Sequence, residues 1–132
     1  MVDSIRAFGV FLDEEKHKNG TYISVKLDKD SSKKLDSWVT LNGIPNQTDP
    51  NEFHATVIYS RKGVPDAKSY DLGLPIDAKI SGWHIFDTQQ GTKALVAKID
   101  SSVLAKHHTH LIKKFGATHD YPSYQPHVTV GS

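Results

Sequence analysis

The sequence predicts an α+β fold: two antiparallel sheets in pseudo-twofold halves facing a central cleft, with one helix packed outside each half. Three observations predict it. His54-Ala55-Thr56 and His127-Val128-Thr129 are two copies of one pattern, each inside a β-branched run. Each copy closes the same order of elements, strand, helix, loop, His-x-Thr strand, over about residues 21–60 and 93–131. Lys26-Leu27-Asp28 and Lys98-Ile99-Asp100 end the strands before the two helices, and the step from lysine to histidine is 28 residues in one half and 29 in the other. An internal duplication accounts for all three.

Taken in order, residues 21–27 form the first clear strand, opened by Asn19-Gly20, with Tyr22, Ser24 and Lys26 on one face and Ile23, Val25 and Leu27 on the other. A helix follows. Asp30 and Ser31 are its N-cap candidates, Leu35, Trp38 and Val39 its apolar stripe, and Asn42-Gly43 with Pro45 its stop. Residues 46–51 read as a loop. Residues 53–59 are the first motif strand, His54, Thr56 and Ile58 facing one way and Phe53, Ala55, Val57 and Tyr59 the other. After a Gly- and Pro-bearing stretch, residues 76–86 and 93–99 form a hairpin through Gln89-Gln90-Gly91. A second helix over about 101–115 and the second motif strand, 127–130, complete the repeat.

Composition limits the function classes. At 132 residues, with 37% apolar and 23% charged, the chain is one globular domain, 1–132, long enough to bury a core. Its 16 Lys+Arg against 15 Asp+Glu leave a net charge of +1, too little to hold a long nucleic acid by counterion release. The absence of cysteine excludes disulfides, thiolate nucleophiles and cysteine-ligated zinc. No apolar stretch reaches the ~20 residues that span a membrane, and the first ten residues lack a signal-peptide core, so a cytoplasmic location is expected.

Two strands that each turn an imidazole and a hydroxyl to one face make a site with two proton-transfer groups and two hydrogen-bond donors. That set suits a phosphodiester, where one oxygen loses a proton as another gains one. Attack by a neighbouring 2′-hydroxyl is already tethered, so one neutral and one protonated histidine suffice, with Thr56 and Thr129 on the non-bridging oxygens. The scheme requires no metal or other cofactor. Lys26, Lys98 and Arg61 are candidates for positive charge near the phosphate. His107, His108, His110 and His119 look like a metal cluster, but helical spacing splits them and no acidic set completes a shell; His108 falls in the apolar stripe. Of Trp83 and His84, adjacent in a strand, one faces the core.

The pair of His-x-Thr motifs on repeated strands resembles the 2H phosphoesterase superfamily. The runs Thr21-Tyr22-Ile23-Ser24, Phe53-His54-Ala55-Thr56-Val57-Ile58-Tyr59-Ser60-Arg61-Lys62 and Gln125-Pro126-His127-Val128-Thr129-Val130 look most like the phage anti-CBASS family within it. The resemblance implies the 2H-like bilobal fold. It also implies hydrolysis of cyclic di- or trinucleotide messengers such as 3′,3′-cGAMP, by His54, Thr56, His127 and Thr129, in the host bacterial cytosol. Base-stacking aromatics are implied at Tyr22 and, in its region, Trp83. The resemblance further implies a segment beyond the second motif that helps close the site, whereas this sequence ends at Ser132; an equivalent strand from the first 18 residues is the alternative. The same four residues would serve a 2′,3′-cyclic phosphodiesterase acting on RNA ends or small nucleotides. A sponge that binds the cyclic nucleotide uncut, and a structural phage protein, are the readings outside enzymology. The oligomeric state is left open by the sequence.

Overall fold

The computed structural model describes residues 3–11, 21–60, 71–88, 91–117 and 123–131. Its elements run β1 (Ser4–Phe11), β2 (Thr21–Leu27), α1 (Lys29–Leu41), β3 (His54–Ser60), β4 (Ile76–Asp87), β5 (Lys93–Asp100), α2 (Ser102–Phe115) and β6 (His127–Gly131). Each half is therefore strand, strand, helix, strand. The repeat is one strand longer at its front than the sequence predicts, because β1 is the counterpart of β4. The alternation of β1 runs only from Ser4 to Ala7, with Ile5 and Ala7 buried and Ser4 and Arg6 exposed, before a register shift ends it. So brief a pattern is not legible as a strand.

Side-chain caps set where the helices begin. Asp28, not the expected Asp30 or Ser31, caps α1, its carboxylate accepting from the Ser31 backbone N–H at 2.8 Å. That hydrogen bond holds the Asp28 carboxyl below its ordinary range. The Ser31 hydroxyl is used elsewhere: it accepts from the Arg6 backbone N–H at 2.7 Å and ties the helix start to β1. Ser101 caps α2 by accepting from Leu104 N–H, and Gly116, in the left-handed conformation, ends it. Within the expected loop, Asp49 caps a 3-10 turn, Pro50–Glu52, and Gln47 bridges to Gly131.

The strands form one antiparallel sheet in the order β1-β2-β3-β6-β5-β4, closed by pairing of β4 with β1. Two separate sheets were expected. The closure joins strands at matching places in the two halves: β3 pairs with β6, Ala55 opposite Val128, and β1 with β4, Ile5 opposite Ala78. Each half is a three-stranded meander whose two edges are consumed by the equivalent edges of the other, which leaves no edge unpaired. Leu35 and Val39 of α1 and Leu104 and Leu111 of α2 join Val25, Leu27, Ala55, Val57, Ile99, Val128 and Val130 in one buried cluster. That cluster defines a core face of the sheet, and the other face is left for function.

Candidate active site

Register brings the two motifs together. Ala55 and Val128 are buried and directly opposite, so in that register His54 falls across from Thr129 and Thr56 across from His127. Residues flanking a core-facing position project the other way. All four motif side chains thus share one face at the seam of the halves, each histidine beside the other motif's threonine. The neighbouring strands extend the symmetry: Lys26 is opposite His54 on one side, and Lys98 opposite His127 on the other.

Both imidazoles are held by the same device. His54 Nδ1 lies 2.7 Å from the Glu52 carbonyl oxygen and His127 Nδ1 lies 2.9 Å from that of Gln125, in each case two residues upstream. A carbonyl oxygen only accepts, so each Nδ1 carries the proton and donates it. In the neutral ring the lone pair is then on Nε2, and in the protonated ring Nε2–H is the transferable acid. Both rings are anchored by the same kind of backbone contact, and an imidazole can act as base or acid.

Thr56 is braced from several sides. The Tyr22 phenol lies 3.1 Å from Thr56 Oγ1, and the Tyr124 hydroxyl donates to the Thr56 carbonyl at 2.7 Å. His108 Nδ1 is 2.7 Å from the Val57 carbonyl oxygen and donates to it, its ring stacked on Tyr124 with centroids 4.1 Å apart. The cause is a β-bulge: Ser24 pairs with Thr56 and Ile23 with Ile58, so Val57 is the extra residue and the ladder is interrupted there. Side chains from α2 and from the approach to β6 satisfy the backbone groups at that interruption. Burial raises the Tyr124 phenol well above its ordinary range, so it remains a donor. The bulge also changes the facing expected for β3: Ile58 is core, and Tyr59 is exposed.

The remaining predicted residues divide. Tyr22 reaches the site but is buried, its ring edge-on to Tyr59 and its hydroxyl on Thr56. Trp83 does not join the motifs. It lies opposite core-facing Ala97 and stacks on Trp38 of α1, centroids 3.8 Å apart and planes within 6°. The register shift between Ile80 and Gly82 sets this phase. It turns His84 to the functional face instead, opposite Val96, which is itself opposite Thr129. Phe86, two residues on, comes within 5.3 Å of the His127 ring and was missed; once Trp83 is assigned to the core, alternation finds it. Ser24, opposite Thr56, is fully buried with an Oγ that makes no hydrogen bond among the described residues. Arg61 and His119 lie outside the described residues.

A family model described as anti-CBASS protein Acb1 matches residues 19–131. Among curated relatives, each carrying that description, the protein of Vibrio phage KVP40 is 40% identical over 111 residues, covering 84% of this chain and 71% of the relative. That of Salmonella phage S16 is 30% identical over 112 residues, 85% of this chain and 71% of its own. That of Enterobacteria phage T4 is 31% identical over 111 residues, 84% and 70%. The matched span takes in both His-x-Thr motifs and the strands that carry them.

Proposed function

The chain belongs to the anti-CBASS protein Acb1 family, and from that premise we propose that it is a metal-independent phosphodiesterase. It opens cyclic di- or trinucleotide messengers such as 3′,3′-cGAMP in the host bacterial cytosol and so counters CBASS antiphage immunity. The observation that carries the reading is the matched pair of imidazoles at the β3–β6 seam, each with Nδ1 held on the carbonyl two residues upstream.

The reaction uses both. Neutral Nε2 of one histidine takes the proton of a ribose 2′-hydroxyl as its oxygen attacks the adjacent phosphorus. Nε2–H of the other protonates the departing 5′-oxygen. A linear product ending in a 2′,3′-cyclic phosphate results, and water opens it with the roles exchanged. Thr56 and Thr129 donate to the non-bridging oxygens, where charge accumulates. Lys26 and Lys98, one beside each histidine, add positive potential from both sides. The two imidazoles account for every proton moved.

The test is incubation of chelator-treated protein with 3′,3′-cGAMP and with a linear 2′,3′-cyclic phosphate, with products identified by mass. Linear product from the cyclic dinucleotide is expected, and His54→Ala and His127→Ala should each lower kcat by about 10²–10⁴-fold. Loss of activity on chelation, or full turnover in both variants, overturns the reading. Cleavage of the linear substrate alone assigns the protein to 2′,3′-cyclic phosphodiester hydrolysis. Tight binding without cleavage makes it a sponge.

A further inference from the structure

A glycine stands across from each lysine of the site. On β1 Gly9 is opposite Lys26, and on β4 Gly82 is opposite Lys98. Each glycine directly follows a register shift, between Ala7 and Gly9 in one strand and between Ile80 and Gly82 in the other. The two strands are counterparts in the repeat, and so are the two glycines. Directly paired residues face the same way, so both glycines lie on the histidine face. Each is two strand spacings, roughly 10 Å, from its histidine.

Neither backbone conformation nor packing requires a glycine there. Gly43, Gly73, Gly91 and Gly116 adopt positive φ and have that reason; Gly9 and Gly82 do not. A Cβ on Gly131 would come within 2.8 Å of Ile44 Cγ2, whereas a Cβ on Gly9 or Gly82 meets no heavy atom of the described residues within 4 Å. A glycine inside a strand costs about 0.5–1 kcal/mol relative to alanine, and this cost is taken at both equivalent positions. Besides the bulge that each glycine follows, a glycine in a strand serves the close approach of a ligand, and these two lie on the histidine face.

Resting on the phosphodiesterase reading, we propose that Gly9 and Gly82 determine specificity by substrate size. Each leaves strand backbone bare beside a lysine so that one of the two nucleoside arms flanking the scissile phosphate lies against it. The arms of a cyclic dinucleotide then extend to both halves of the cleft from a phosphate held at the seam.

Gly9→Val and Gly82→Val test this, with Gly9→Ala and Gly82→Ala as graded steps; β-branched residues suit strands, so folding is retained. For the cyclic dinucleotide, each valine variant should raise KM at least about tenfold, the equivalent of 1.4 kcal/mol, with alanine intermediate, kcat little changed and the thermal midpoint at or above that of the parent. A lowered midpoint with unchanged KM assigns the glycines to folding and overturns the proposal. If the parent binds without cleaving, calorimetric Kd replaces KM: the phosphodiesterase reading falls, and the same tenfold weakening upholds the glycines. A parent that neither binds nor cleaves overturns both.

Discussion

The Tyr22 phenol and Thr56 Oγ1 are 3.1 Å apart, and Tyr22 is only 6% exposed. A buried ring with its hydroxyl on the motif threonine orients that threonine; it does not offer a face to a base. Tyr22→Phe should therefore lower kcat about fivefold, the loss of one hydrogen bond of about 1 kcal/mol, and leave KM in place. Parent-like kcat in Tyr22→Phe, with a raised KM in Tyr22→Ala, would instead show stacking. Ser24 carries the opposite expectation for stability. Its hydroxyl, buried and without a hydrogen-bond partner among the described residues, lacks compensation, so Ser24→Ala should be neutral or stabilise the ligand-free protein by up to about 1 kcal/mol, read as the midpoint of urea unfolding. At this scale the sequence was most informative where side chains repeat. His54, Thr56, His127 and Thr129 were legible because two copies in matching contexts demand a common explanation. Trp83 and Phe86 were not, because their facing depends on one residue of slip between Ile80 and Gly82, and an inserted residue reverses every side chain after it.

The helices were legible as elements but not at their starts. Leu35 and Val39 recur at helical spacing, whereas Asp28, Asp30 and Ser31 are all good caps by type and only geometry chooses among them. The choice of Asp28 has a pH signature. Its folded-state pKa is lowered from 3.8, first by the Ser31 backbone hydrogen bond, so its contribution is present above the unfolded value and is lost as pH falls through the folded one. Asp28→Ala should cost about 1 kcal/mol at neutral pH. Asp28→Asn keeps an accepting side chain without a titrating group, so it should retain most of that stability and flatten the acid limb below pH ~4. Urea unfolding from pH 2 to 7 separates the two; equal losses in both variants at pH 7 would mean that charge rather than capping stabilises the helix. β1 is the element that sequence pattern missed, since four alternating residues ahead of a shift fall short of what periodicity detects.

At the scale of the whole molecule, pairing between strands at matching places in the two halves closes the sheet and brings the two His-x-Thr motifs together. Sequence comparison of the halves showed that the motifs are equivalent. It could not show that equivalent strands pair with each other, because pairing partners are set by the edges left when each meander has formed. Pairing β3 with β6 brings together two histidines that are each anchored through Nδ1 on the carbonyl two residues upstream. Under the proposed mechanism, which needs one ring neutral and one charged, the parent kcat/KM should be bell-shaped in pH. Residual activity in the two single variants should divide the bell. The variant without the base should lose the acidic limb, and the variant without the acid should lose the basic one. The double variant should fall no lower than the worse single, since the two groups act in one step and their effects do not add. Both limbs surviving in both single variants would assign the titrating groups elsewhere. A clean division identifies which half of the molecule begins the proposed reaction.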